Sequence, residues 1–303
     1  MSGFVAPGLS GDWLNGWLAA VGVSVLLDDV KLSWSSNPLP RAVFNGPGAS
    51  DLPGRLAAVL PEAEAIETLA FGGLGQAIDI TQFADRARKA RQEDDWTLAL
   101  LATDLTHASD ERLPTGPFNP GVPQGIPLWK RLLACVQAIQ GGDPAELIAA
   151  SLAGRAVRFP ANGLGFDVRR LAGSVPGEAS KFADVVVEWL SFYGACLHPM
   201  SNWGARPGQR GWSLRPDLPG AFKWPVWAVP LDRWAIDALL DAFYSVVERS
   251  RTNPAAFRRS PGAIRGAGLI AVFETRPFLP TGTADPTRGY ESVRHEGWIG
   301  QSS

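Results

Sequence analysis

Glycine and proline divide this chain into short segments, and that division constrains its fold more than any other feature of the sequence. The chain has 33 Gly and 25 Pro among 303 residues, and its longest apolar run, Trp17 to Leu27, has eleven residues. A helix that spans a bilayer needs about 20 apolar residues. The sequence therefore predicts no membrane span, and short segments that pack in layers around a shared core.

Residue patterns predict strands near both ends of the chain and helices between them. The N-terminal pattern is strand, helix, strand, strand, and the helix has an apolar face of Leu14, Trp17, Leu18 and Val21 with Ser10 or Asp12 as its cap. A long amphipathic helix is predicted over 231–250. Other predicted strands lie at Lys31–Trp34, Arg41–Phe44, Trp224–Val229, 268–278 and 289–300, the last two joined as a hairpin.

This order of elements predicts an α+β fold. The terminal strands would form a small antiparallel or mixed sheet around a largely helical middle. A stretch rich in Pro and Gly at 108–126 is a candidate domain boundary. We therefore predict that residues 1–303 form a single α+β domain or two closely packed lobes.

Charge and cysteine content exclude several classes of protein. With 28 basic and 30 acidic residues the formal charge is -2, so bulk charge cannot hold this chain on nucleic acid and any such contact needs a local patch. Cys135 and Cys196 lie in separate apolar segments, which predicts buried thiols without a disulfide framework. The segment before Trp17 has no Lys or Arg, unlike a signal peptide, which predicts a cytoplasmic location.

The sequence shows no arrangement typical of catalysis or of metal binding. His107, His198 and His295 are far apart, and none has a second His or Cys at ligand spacing. Cys196 and His198 are two residues apart, so they do not face each other on a helix or a strand. We predict no metal, no cofactor and no catalytic residue. A small-molecule enzyme of unknown reaction, with a site around His198 or Asp167, stays open as an alternative.

Aromatic and basic residues alternate with glycines in the segment NWGARPGQRGW. Trp203 and Trp212 are candidate stacking or interface residues, and Arg206 and Arg210 are candidate nucleic-acid contacts. Indole and guanidinium planes both stack on bases, and glycine lets a backbone approach a phosphate chain closely. The alternative is Arg packed on Trp in an ordered surface loop, with the WPVW aromatics in the core.

A second basic segment follows the long C-terminal helix. Between Arg249 and Arg294 there are eight arginines and three acidic residues, a local charge of +5 in an acidic chain. Arg258, Arg259 and Arg265 in RRSPGAIRGAG are candidate phosphate contacts. A solvated face without a ligand is the alternative interpretation.

Several segments resemble a known family. They are Pro7–Leu9, Leu18–Gly22 and Leu32–Trp34 in the N-terminal unit, NGLGFDVRR at Asn162–Arg170, and the Pro-, Gly- and Trp-rich run from His198 to Trp227. Together they resemble accessory and large-subunit proteins of type I-G (formerly I-U) CRISPR–Cas loci. At 303 residues the chain is shorter than most large subunits and looks more like an accessory protein.

The resemblance implies a non-enzymatic component of a type I CRISPR–Cas antiviral defence system. Such a protein contacts guide RNA, target DNA backbone or other CRISPR-associated subunits, while base pairing supplies sequence specificity. The alternative is a protein–protein adaptor with a Trp-rich interface, whose anchors would be exposed Trp203, Trp212, Trp224 or Trp227.

Overall fold

The computed structural model describes antiparallel sheets and the helices packed against them. Within the described residues, no helix is both long enough and apolar enough to cross a membrane. The described residues are 3–36, 39–68, 78–79, 85, 88, 112–113, 128–160, 182–198, 200–202, 207–215, 218–252, 266–278 and 289–294.

The N-terminal unit contains the strand, helix, strand, strand order that its sequence predicts. Its elements are β1 (Phe4–Ser10), α1 (Leu14–Leu26), β2 (Lys31–Trp34) and β3 (Arg41–Asn45). The strands form an antiparallel sheet in the order β1-β3-β2. The central strand β3 therefore pairs with both neighbours.

Helix α1 differs from its prediction, because it is buried on every side instead of along one face. All twelve residues from Leu14 to Val25 are buried. The chain has no charged residue between Asp12 and Asp28, so no side of the helix requires solvent. The predicted cap is also wrong, because Trp13 is the N-cap residue and an indole offers no oxygen to accept from the first turn. The Ser10 hydroxyl donates to the Asp12 carboxylate.

Helix α1 packs directly against a second buried helix, α6 (Val185–Ala195). Asp184 caps α6 by accepting from the backbone N–H groups of Val186 and Val187, at 3.1 and 3.2 Å. A Cβ atom on Gly22 would lie 2.0 Å from the carbonyl oxygen of Leu190, and one on Gly194 would lie 1.9 Å from that of Leu18. Glycine is therefore required on both helices where their backbones meet.

The other elements that the structure describes before residue 200 are helices of up to thirteen residues and two-residue strands. Segments predicted as helical, including PLWKRLLACVQAIQ and DPAELIAASLAG, contain helices in the structure. The elements are a 3₁₀ turn (Ala49–Asp51), α2 (Leu52–Ala58), α3 (Ala63–Thr68), β4 (Ile78–Asp79), β5 (Arg112–Leu113), α4 (Leu128–Gln140), α5 (Pro144–Leu152), β6 (Phe159–Pro160) and β7 (Phe182–Ala183).

The C-terminal third forms a four-stranded antiparallel sheet and one long helix. The sheet order is β10-β11-β12-β13, so the predicted hairpin of the last two strands is confirmed. The long amphipathic helix α7 is also confirmed. The elements are β8 (Met200–Asn202), β9 (Pro207–Gln209), β10 (Trp212–Arg215), β11 (Leu218–Trp227), α7 (Arg233–Thr252), β12 (Leu269–Phe278) and β13 (Gly289–Arg294).

The predicted α+β fold is confirmed, with the terminal strands in two linked sheets. Leu32 in β2 and Leu231 exchange two backbone hydrogen bonds, of 2.8 and 2.9 Å. The pairing ends there because α7 begins two residues later, capped by Asp232, which accepts from the N–H of Ala235 at 2.9 Å. Buried apolar residues from both ends of the chain form one cluster. Apart from Arg112–Leu113, the predicted boundary at 108–126 lies outside the described residues.

Candidate functional site

Strands β8 and β9 pair as an antiparallel hairpin, and the four residues between them include two predicted site residues. Met200 pairs with Gln209 and Asn202 pairs with Pro207. Trp203 and Arg206 belong to the connection and lie outside the described residues. The paired strands fix where this connection enters and leaves the fold. We call Met200–Gln209 the anchored hairpin.

Arg210 anchors this hairpin to helix α7. Its Nη2 lies 2.5 Å from an Asp237 carboxylate oxygen, and its Nη1 lies 2.6 Å from one of Asp241. The two aspartates are four residues apart and therefore share one face of the helix. The Arg210 side chain is only 17% exposed. A planar guanidinium that donates to two carboxylates fixes the position of its own backbone.

Gly211 allows the chain to turn immediately after Arg210. Its φ is +92°, a conformation that favours glycine. A Cβ atom at this position would lie 2.4 Å from the Phe222 ring and 2.8 Å from the Tyr244 ring. The carbonyl oxygen of Gly211 accepts from the N–H of Lys223 at 3.3 Å, so the turn also joins β11.

His198 precedes the hairpin, lies in the core, and bonds to the residue that follows the hairpin. Its Nδ1 lies 3.0 Å from the Arg210 carbonyl oxygen. Its ring centroid lies 5.0 Å from that of Phe222, and 5.8 Å from those of Trp17 and Tyr244. Burial, and then the positive charge of Arg210, hold the pKa of His198 well below its ordinary value of 6.5. The ring is therefore neutral, and Nδ1–H donates because a carbonyl oxygen only accepts.

Tyr244 connects the same cluster to the C-terminal sheet. Its hydroxyl donates to the carbonyl oxygen of Lys223 at 2.7 Å. Burial raises the pKa of this phenol, so the hydroxyl keeps its proton. His198 and Tyr244 thus fix the base of the anchored hairpin. Asp167, the other residue named for a small-molecule site, lies outside the described residues.

The structure describes two of the seven predicted site residues. Arg210 is bonded to α7, and Trp212 begins β10, where its backbone pairs with Phe222. Of the five arginines predicted to contact nucleic acid, the structure describes only Arg210. The predicted residues outside the described part of the chain are Trp203, Arg206, Arg258, Arg259 and Arg265.

The expectation that Trp224 or Trp227 is an exposed interface anchor is wrong. Both side chains are fully buried. The indole N–H of Trp224 donates to the Gly11 carbonyl oxygen at 2.8 Å, and that of Trp227 donates to the Leu32 carbonyl oxygen at 3.0 Å. The part of the alternative that places the WPVW aromatics in the core is confirmed.

The sequence did not single out Trp234, which is the most exposed large apolar side chain among the described residues. Trp234 is 68% exposed. The Arg233 guanidinium carbon lies 4.5 Å from its ring centroid, and Nη1 of Arg233 lies 2.5 Å from an Asp28 carboxylate oxygen. The apolar stripe of α7 is a signal that identifies Trp234 as outward-facing, because buried Ile236, Leu239, Leu240 and Phe243 occupy a different face.

Buried polar residues of α1 and α6 hydrogen-bond to each other. The side-chain amide of Asn15 donates to a Glu188 carboxylate oxygen at 2.7 Å, and the Ser191 hydroxyl donates to the backbone carbonyl oxygen of Asn15 at 2.8 Å.

Burial, and then the charges of Glu188 and Asp184, raise the pKa of the Cys135 thiol well above its ordinary value. Cys135 therefore stays protonated and is a poor nucleophile.

Both cysteines are buried and unbridged, as their apolar segments predict. Over the part of the chain that the structure describes, no three His, Cys, Asp or Glu side chains are grouped to hold a metal ion. No protein-family model, curated protein or solved structure matches this chain.

Proposed function

We propose that this protein is a non-enzymatic component of a type I CRISPR–Cas antiviral defence system that contacts the backbone of guide RNA or target DNA. The observation that carries the nucleic-acid contact is the anchored hairpin, whose connection includes Trp203 and Arg206. The resemblance of the N-terminal unit, of Asn162–Arg170 and of the run from His198 to Trp227 supports the choice of system.

A hairpin that is fixed at its base suits stacking on single-stranded nucleic acid. The Arg210 ion pairs and the His198 hydrogen bond hold the base of the hairpin, so less conformational entropy is lost when its connection binds a ligand. In this proposal Trp203 stacks on a base and Arg206 contacts a phosphate. Base–aromatic stacking tolerates any sequence, as a subunit whose specificity comes from guide pairing requires.

The second basic segment contributes charge to the same function. Arg258, Arg259 and Arg265 would contact phosphates between α7 and β12. Arg210 is occupied by two carboxylates, so its part in this proposal is to position the hairpin. Other CRISPR-associated subunits would bind elsewhere on the protein.

Fluorescence anisotropy with labelled single-stranded RNA, single-stranded DNA and duplex DNA tests the contact. We expect binding at about 50 mM salt that falls steeply by about 200 mM, because each phosphate contact releases counterions. Trp203→Ala combined with Arg206→Ala should weaken binding of single strands. Arg88→Ala is the control, because it also removes one positive charge, from a side chain that is 70% exposed and paired with Asp85. Absence of binding at low salt, or equal binding by the double variant and the control, would overturn the contact.

Purification of the tagged protein from a host that carries its neighbouring genes tests the assignment to a defence system. We expect repeat-derived guide RNA and other CRISPR-associated subunits to copurify. If neither copurifies, the assignment to this system fails, even where purified protein binds oligonucleotides in the anisotropy measurement.

A further inference from the structure

The outward side of helix α7 combines one aromatic side chain with small and acidic ones. Trp234, Ala238, Asp241 and Ser245 are exposed, and Asp237 among them is half-buried. Steps of three or four residues keep side chains on one side of a helix. We call these five residues the outer stripe, which begins at the indole of Trp234 in the first turn of α7.

Two carboxylates flank the Trp234 end of the outer stripe. Nη1 of Arg233 lies 2.5 Å from an Asp28 carboxylate oxygen, and Asp232 caps the helix. The charges of Asp28 and Arg233 offset each other, whereas Asp232 accepts from a backbone N–H and so adds a negative charge.

The other end of the outer stripe is acidic as well. Arg210 donates to one oxygen of Asp237 and to one of Asp241, so two carboxylates share a single positive charge. The Asp241 side chain stays 69% exposed. A carboxylate has two oxygens and can accept from more than one donor. The bonds at both ends and the helix cap thus place four carboxylates and two guanidiniums around the outer stripe, a net negative charge.

The indole of Trp234 contacts one cation and has room for a second. The Arg233 guanidinium carbon lies 4.5 Å from the ring centroid, and the side chain is 68% exposed, so the opposite face of the ring is open. Lys and Arg side chains are attracted to an indole face. The carboxylates around the ring add to the attraction for a cation and repel a phosphate. An open indole in acidic surroundings therefore selects a cationic ligand.

The spacing along the outer stripe predicts the spacing of the charges on this ligand. Trp234 and Asp241 are seven residues apart, which is about 10 Å along a helix. An extended peptide covers about 10 Å in three residues. Ala238 lies between them with only a methyl side chain, so a peptide backbone can approach the helix. Val229 and Pro230, in the loop before α7, add exposed apolar surface.

We propose that the outer stripe binds a basic segment of a partner protein. One Lys or Arg of that segment stacks on the open face of Trp234, and another, three residues away, pairs with Asp241. Charge complementarity selects such a partner over nucleic acid, because phosphates would meet a net negative surface. Tryptophan is also enriched among the residues that contribute most to binding in protein interfaces. The inference goes beyond the proposed function and does not rest on it, because the nucleic-acid contact uses the connection of the anchored hairpin.

Indole N–H signals in proton–nitrogen NMR spectra test this contact at its site. The probe is a short peptide of Gly and Ala with Arg at every third position, and the signal that Trp234→Phe removes is assigned to Trp234. We expect this signal to shift during the titration, while those of the buried indoles of Trp17 and Trp224 stay unchanged. The same peptide with Gln in place of Arg should have little effect.

Variants test the roles of charge and of the indole, with anisotropy of the labelled peptide as the measurement. Asp241→Asn can still accept from Arg210, and it should raise the dissociation constant about threefold, because exposed ion pairs contribute modestly. Asp85→Asn is the matched control, because that side chain is 67% exposed, against 69% for Asp241. Trp234→Ala should raise the constant about tenfold, within the range of a cation–π contact. Far-UV circular dichroism should show that all three variants are folded, because the three positions are exposed.

Several outcomes would overturn this proposal. One is the absence of a shift at about 1 mM Arg peptide, and another is an equal loss in Asp241→Asn and Asp85→Asn. If oligothymidylate shifts the Trp234 signal and the peptide does not, the surface binds nucleic acid. A dimer that Trp234→Ala dissociates in sedimentation would identify a second copy of the chain as the occupant. The double variant of Trp203 and Arg206 tests the proposed function separately, so failure of one proposal leaves the other standing.

Discussion

His198 shows how one buried side chain can tie a surface loop to the core. Its ring packs among Trp17, Phe222 and Tyr244, and its Nδ1–H holds the carbonyl oxygen of Arg210. The guanidinium of Arg210 then reaches α7. Two consecutive contacts thus connect an enclosed aromatic cluster to the base of the anchored hairpin.

The low pKa of His198 predicts loss of stability in acid. Below its ordinary pKa of 6.5 the unfolded chain takes up a proton at His198, while the folded chain does not. The free energy of unfolding should therefore decrease by about 1.4 kcal/mol for each unit by which the pH is lowered below this value. The decrease stops once the pH reaches the pKa of His198 in the folded protein. Urea denaturation above and below pH 6.5 measures this slope.

His198→Gln is the comparison for that slope. Glutamine keeps a hydrogen-bond donor for Arg210 but does not titrate. The variant should lack the contribution of His198, while those of His107 and His295 remain in both proteins. An identical slope in the two proteins would contradict the assignment to His198.

At the scale of elements, the contact between α1 and α6 depends on glycine. A Cβ atom on Gly194 would lie 1.9 Å from the Leu18 carbonyl oxygen and 2.7 Å from its carbonyl carbon. Both are backbone atoms, so the helices would have to separate. The same substitution in an isolated helix would be favourable by about 1 kcal/mol.

We therefore expect Gly194→Ala to destabilise the protein by about 3 kcal/mol, at the upper end for an overpacked core. Gly266→Ala is the matched control, because a Cβ atom there would meet no heavy atom within 4 Å. Chemical denaturation measures both. Equal stability of the two variants would show that α1 and α6 can move apart without a decrease in the free energy of unfolding.

The elements themselves were largely predictable, because their signals are local. Alternation and turn residues placed β2, β3, β12 and β13, and apolar spacing placed α7. The burial of α1 on all sides was not predicted, since periodicity marks a preferred face but not the number of neighbours. The absence of charge between Asp12 and Asp28 was the signal that this interpretation neglected.

The candidate site was less predictable than the elements. The described residues of NWGARPGQRGW lie outside helices, as predicted. The ion pairs of Arg210 with Asp237 and Asp241, in contrast, join residues 27 and 31 positions apart. Such contacts follow from tertiary packing, to which local residue patterns are blind.

At the scale of the whole molecule, indole hydrogen bonds connect the C-terminal sheet to the N-terminal unit of β1, α1, β2 and β3. Trp17 donates to the Pro225 carbonyl oxygen at 2.8 Å, and Trp224 donates to that of Gly11 at 2.8 Å. Trp227 adds a 3.0 Å bond to Leu32. Each bond joins residues about two hundred positions apart, so the sheets should lose their structure together.

Trp224→Phe should therefore destabilise both sheets equally, by about 1–3 kcal/mol, because it leaves the Gly11 carbonyl buried without its donor. Hydrogen exchange of amides in β3 and β12 measures the free energy of opening in each sheet. Equal decreases would support a single cooperative domain. A decrease confined to β12 would instead support two closely packed lobes.

The bond between Gly11 and Trp224 also sets an order of events during synthesis. At elongation rates of about 5–20 residues per second, α1 waits roughly 10–40 s on the ribosome before Trp227 is made. For that time an uncharged helix that ends up wholly enclosed has no sheet of β10–β13 to cover it. Until then the apolar surface of α1 that this sheet covers stays exposed on the nascent chain, and slower translation before residue 227 would lengthen that exposure.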